Sequence, residues 1–98
     1  MATPAFQLPD LACAEHRAKV FKALSDPCRV RMVELLAERG DMCGIQLAEA
    51  LGVSGALLSH HGKVLEGAGI ISKRKDGPHA YCVLNRELLA KAFRGLVD

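Results

Sequence analysis

The chain has no tryptophan, and its aromatic residues are one Tyr and three Phe among 98 residues. With half of the residues hydrophobic, so little aromatic content argues against a ring-rich sandwich core and for Leu, Val, Ile and Ala packed between helices. No apolar run approaches the roughly 20 residues a membrane span needs, and the opening MATPAFQLPD has neither the basic stretch nor the apolar stretch of an export signal. A cytoplasmic chain with no membrane partner is expected. None of the four cysteines (Cys13, Cys28, Cys43, Cys82) forms a C-x-x-C pair. In a reducing compartment such residues are free thiols or metal ligands, not a disulfide framework. There is also no Gly-rich phosphate loop and no grouping of nucleophile, base and orienting residue, so an enzyme is not expected.

A chain of this length fits one domain and buries only about two-thirds of its unfolded surface, so a second copy would add useful core. The net charge of +2 does not by itself identify a polyanion binder, but its distribution is uneven. Residues 1–53 carry six Lys/Arg against seven Asp/Glu, whereas residues 54–98 carry seven against four. The densest basic run is Lys73, Arg74 and Lys75.

Thr3, Pro4 and Pro9 indicate an irregular arm over residues 1–10, followed by one domain over residues 11–98. Leu11, Ala14, Ala18, Phe21 and Leu24 recur at three- and four-residue steps and predict a first helix. Ser25-Asp26-Pro27 supplies a cap and a first-turn proline for a second helix through Val30, Val33, Leu36 and Ala37, which Gly40 ends in a left-handed conformation. Asp41 is expected to cap a short third helix through Ile45, Ala48 and Leu51, ended by Gly52. Ser54 caps a fourth helix two residues later, which makes a helix-turn-helix over about 42–67. Two short, partly β-branched runs then flank Asp76-Gly77 and predict a hairpin over about 70–84, with Pro78 arguing against a simple type I′ turn. Asn85 can cap a last helix carrying Leu88, Leu89, Ala92, Phe93 and Leu96 on one face.

The stretch SGALLSHHGKVL sets His60 beside His61. At about 100° per residue, Leu57, Leu58, His61, Val64 and Leu65 fall on one side of the helix, and Ser59, His60 and Lys63 on the other. Adjacent helical positions do not converge on one ion, so a joint metal site is not expected. His61 reads as a core histidine. Ser54, Gly55, Ala56, Ser59, His60 and Lys63 make a lean, cationic face that lets a helix enter a DNA groove, with Lys73, Arg74, Lys75 and His79 of the hairpin beside it for the phosphate backbone. The alternative is an ordinary solvated surface, as in a protein-interaction module.

LSDPCRVRMVELL and CGIQLAEALGVSGALLSHHGKVLEGAGIISKRKDGPHAYCVL together resemble the ArsR/SmtB family of metal- and stress-responsive repressors, over roughly residues 20–84. The resemblance implies a mainly α fold with a small β-hairpin, a winged helix-turn-helix in the order α-α-α-α-β-β-α. It further implies a homodimer through the first and last helices, bound to a near-palindromic operator on double-stranded DNA and released by an inducer. Residues 54–66 then form the recognition helix and residues 70–84 the wing. Two positions depart from the family pattern. Gly62 stands where the family usually has Leu, which loosens packing and costs about 1 kcal/mol of helix propensity relative to Ala. Cys28 replaces the usual Thr or Ala and puts a thiol near a helix N-terminus, a setting that lowers thiol pKa.

The family's inducer sites are only partly matched. Where relatives have two cysteines on the third helix, DMCGIQL keeps Cys43 but has Ile45 in the second place. The positions of an Asp/His site on the last helix hold Arg86 and Leu88. A third family arrangement would join Cys43 to Cys13 and His16 of the other subunit, a donor set suited to a zinc-like divalent ion, with Asp41 or Gln46 as a weak fourth ligand. Arsenite, which prefers three sulfurs, would need Cys28 or Cys82 as well. Cys28, Cys43 and Cys82 are the redox candidates, although Cys82 reads chiefly as packing. A DNA-binding regulator that uses no metal fits the same residues.

Overall fold

The computed structural model describes residues 13–97. The arm expected over residues 1–10, and Leu11 of the first helix, lie outside them. The elements run α1 (Ala14–Ala23), α2 (Pro27–Arg39), β1 (Met42–Cys43), α3 (Gly44–Leu51), α4 (Gly55–Gly67), β2 (Ile71–Asp76), β3 (His79–Leu84) and α5 (Arg86–Val97). This is the expected helical order with one addition, the strand β1, which pairs antiparallel with β3 and makes a three-stranded sheet ordered β1-β3-β2. No helix among the described residues is long and apolar enough to cross a membrane.

Local chemistry sets the helix ends. Pro27 opens α2 where its missing N–H has no cost, and the Asp26 carboxylate accepts from the Cys28 and Arg29 backbone N–H groups at 2.8 and 3.2 Å. The Ser54 hydroxyl accepts from Leu57 N at 3.0 Å, and the Asn85 side chain accepts from Leu88 N at 3.1 Å. Gly40 does end α2, but at φ 86°, ψ −159°, outside the left-handed helical region and open in practice only to glycine. Asp41 does not cap α3. β1 intervenes, Cys43 becomes the N-cap, and the Gln46 side chain accepts from the Cys43 backbone N–H at 3.0 Å. In the hairpin, Asp76 pairs with His79, so the two-residue loop is Gly77-Pro78 and not Asp76-Gly77. Gly77 has φ +63° and Pro78 has its ring-fixed negative φ, the pattern of a type II′ turn.

The core is aliphatic. Val20, Met32, Leu36, Leu47, Leu65 and Ile70 are its largest fully buried side chains, drawn from α1, α2, α3, α4 and the entry to the sheet. On α5 only Leu88 and Ala92 are fully buried. Leu89 is half-buried, and Phe93, Leu96 and Val97 remain exposed, with Leu96 at 65% and Val97 at 80%. The Phe93 ring packs on Phe21 of α1 with centroids 5.4 Å apart, so α1 and α5 together present an apolar outer face.

Candidate nucleic-acid interface

The two faces of α4 separate as the helical period requires. Leu58, His61, Gly62 and Leu65 are buried, while Ser54, Gly55, Ala56, Ser59, His60 and Lys63 are all exposed. Leu57 departs from the wheel: it is 44% exposed, because the first turn of α4 projects past the core that holds Leu58. The His60 and His61 ring centroids lie 5.5 Å apart, yet one ring faces solvent and the other is 7% exposed.

Strand alternation divides the basic run of the wing. Ile71, Lys73 and Lys75 share one face of β2. Lys73 pairs in register with Cys82 and borders a cavity that Gly55 and Ser59 also line, which sets it on the same side as the N-terminal half of α4. Arg74 lies on the other face. Its guanidinium meets Asp41 at 3.3 Å and Asp76 at 3.9 Å and stands 5.0 Å from the centre of the Tyr81 ring, against whose edge His79 packs. All of Lys73, Arg74, Lys75 and His79 are exposed, but Arg74 is already held by two carboxylates and a ring.

On the core side, His61 belongs to a polar latch not visible in the sequence pattern. Arg29 Nη1 lies 3.0 Å from His61 Nδ1, and because a guanidinium can only donate, Nδ1 accepts and the neutral ring carries its proton on Nε2. Nε2 is 3.9 Å from Asp26 Oδ1. Arg29 Nε also donates to the Ala23 carbonyl at 2.6 Å. The end of α1, the start of α2 and the middle of α4 thus meet at one point. Burial pushes the Asp26 carboxyl up, but the backbone N–H groups of Arg29 and Cys28, helped by the Arg29 guanidinium, bring it below the ordinary carboxylate value. Asp26, Cys28 and His61 are the only three-donor group among the described residues with ligand atoms mutually within 4.8 Å. A cation there would have to displace the Nε2 proton beside a guanidinium on the other ring nitrogen, so this geometry favours a hydrogen-bonded latch over a metal site.

The thiols differ from expectation in one respect. Burial pushes Cys28 up, the Asp26 charge adds to this and Arg29 opposes it, so the helix N-terminus does not yield a lowered thiol. Burial likewise raises Cys82, against the charge of Lys73. Cys43 is half-buried at the N-cap of α3, Cys13 is half-buried at the N-cap of α1, and His16 is exposed one turn on. Within one chain Cys13, His16 and Cys43 form no such three-donor group, so the set could be completed only across two chains. The weak fourth candidates are engaged, Asp41 by Arg74 and Gln46 by the Cys43 backbone. Arg86 donates to the Ala37 carbonyl at 2.9 Å and Leu88 is buried, so neither offers a ligand on α5.

Comparison with known proteins bears on the fold and the family. A family model for bacterial regulatory proteins of the arsR family matches residues 26–73. The transcriptional repressor SdpR of Bacillus subtilis is 35% identical over 79 residues, covering 81% of this chain and 87% of its own. A Staphylococcus aureus homologue of the cadmium resistance regulatory protein CadC is 40% identical over 80 residues, 78% of this chain and 66% of its own. Among solved structures, the homodimeric winged helix-turn-helix DNA-binding domain of a possible ArsR-family regulator from Mycobacterium bovis superposes with a TM-score of 0.75 at 26% identity, covering 98% of this chain and 86% of that one. With its capped second helix, helix-turn-helix and the start of the first wing strand inside the family match, and most of a repressor's length matched at 35% identity, the chain belongs to the arsR family of bacterial regulatory proteins, winged helix-turn-helix transcriptional regulators.

Proposed function

We propose that the protein is a homodimeric repressor that inserts α4 into the major groove of a near-palindromic operator. The observation that carries this is the division of α4: one face is core, while the other offers Ser54, Gly55, Ala56, Ser59, His60 and Lys63 with no large side chain to hold the helix off a groove. Lys73 and Lys75 flank that face for phosphate contact, while Arg74 and His79 serve the outer side of the wing. The apolar outer face of α1 and α5, with Phe21, Phe93, Leu96 and Val97, supports pairing of two copies through those helices. Titration of the full chain with its own upstream DNA at several salt concentrations tests this. A dimer whose affinity falls steeply as salt rises is expected; absence of duplex binding, with the protein folded, would leave an interaction module instead.

The inducer is proposed to act on thiols. Relatives named for cadmium and arsenic resistance support a metal or metalloid, and Cys43 supports it most directly, because its backbone caps α3 and pairs with the wing. Cys13 and His16 of one protomer with Cys43 of the other would hold a zinc-like ion; arsenite would recruit a third thiol. Metals, arsenite and oxidants added to the reduced dimer–DNA complex should release the DNA, and Cys43→Ser should block release. Release that persists in Cys43→Ser with every metal and oxidant tested would remove Cys43 from the mechanism; no release of the unaltered protein by any of them would leave a regulator that uses no metal or thiol inducer.

A further inference from the structure

Beneath the N-terminal half of α4 lies a cavity of about 590 Å³ between α3, α4 and the wing. Met32, Leu58, Gly62 and Cys82 form its buried floor, and Ser59 and Lys73 stand on its exposed rim. Its depth has a local origin. Gly62 is buried, yet a Cβ built on it would meet nothing within 4 Å, so the helix turns toward empty space at a position where a side chain would normally be packed. A volume of this size lies within the about 300–1,000 Å³ of small-molecule sites, and an apolar floor with a few polar rim groups is their usual lining.

We infer that this cavity binds a small amphipathic carboxylate, its hydrocarbon or aromatic body on the floor and its carboxylate at Lys73 and Ser59. The side chains of the floor, Met32, Leu58 and Cys82, offer only carbon and sulfur. No ion pair engages Lys73 among the described residues, in contrast to Arg74 on the opposite face. Glu49 also borders the cavity, but from α3, where it is shared with the neighbouring groove beside Arg39 and Asp41; an anionic head therefore sits at the Lys73 rim and away from Glu49. Because Gly55, Ser59 and Lys73 border the cavity and belong to the surface assigned to DNA, an occupied cavity and a bound duplex exclude each other. Only this last consequence rests on the proposed function.

The test uses the full-length protein, 1-naphthoate as the probe and 1-naphthalenemethanol as its neutral partner, followed by NMR titration. Naphthoate should shift the amides of Gly62, Lys73 and Cys82 and bind at least about tenfold more tightly than the alcohol, since each tenfold is one charge-assisted contact's worth of affinity. Gly62→Leu should abolish naphthoate binding and still bind the operator. Gly62→Ala, a smaller filling on the same helical backbone, should weaken naphthoate several-fold and serves if the Leu variant does not fold. Lys73→Gln should bring naphthoate down to the level of the alcohol. Equal binding of acid and alcohol, or unchanged naphthoate binding in the folded Gly62 variants, would overturn the assignment. Naphthoate binding without any duplex binding would remove the DNA role and leave the cavity site standing; the reverse would remove the cavity site alone.

Discussion

His60 and His61 are neighbours in sequence and opposites in environment. The first is exposed among Ser59 and Lys63 on a face bare of partners large enough to cover it, and the second is 7% exposed, held by Arg29 at 3.0 Å and facing Asp26. The pair shows how a helical period gives the same side chain two settings one residue apart: one imidazole stands on the face proposed for recognition, the other in the core beneath it.

The sharpest way to break this contrast is to remove the inner ring. His61→Ala should cost about 2–3 kcal/mol of stability, because it opens a cavity and leaves Nη1 of Arg29 without its imidazole acceptor; thermal melting measures this, and operator affinity below the melting range should hardly change. His60→Ala should do the opposite, leaving the melt intact and weakening binding. The same latch predicts an acid response. Asp26 has a folded-state value below its unfolded one, so its contribution is present above the ordinary carboxylate range and is lost as pH falls through the lowered value. Acid unfolding followed by circular dichroism should therefore be less pH-dependent in Asp26→Asn, which is already less stable at neutral pH.

Next in size are the cations of the face proposed for DNA. Lys63→Ala and Lys73→Ala should each lower operator affinity and reduce the slope of log K against log salt by about 0.9, one phosphate contact apiece, with no change in melting. Gly62→Ala should raise stability by about 1 kcal/mol through helix propensity, since its Cβ meets nothing. Arg74→Ala should have the smallest effect on the salt slope, because Asp41 and Asp76 already hold its charge; a loss as large as that of Lys73→Ala would mean that the guanidinium leaves those carboxylates when DNA is present.

What could be read in the residues follows the range of the interactions. Pro27, Ser54 and Asn85 act on backbone groups within three residues, so helix starts were legible, as was the inward side of α4 from Leu58, His61 and Leu65. Leu57 misled because a wheel reports direction and not how far the core extends. β1 has two residues and exists only through Met42↔Cys82 and Cys43↔Tyr81, partners about forty positions away; without them Asp41 looked like the natural cap. The latch was hidden for the same reason, since Asp26 and His61 lie in separate helices, and the Gly77-Pro78 loop needed the register of its strands.

The short ladder between β1 and β3 also has a mechanical meaning. The Cys43 main chain is at once the last rung tying the sheet to the winged arm and the collar from which α3 departs. Under the proposed function, a ligand drawn onto that one sulfur would act on the sheet and on the start of α3 at the same time.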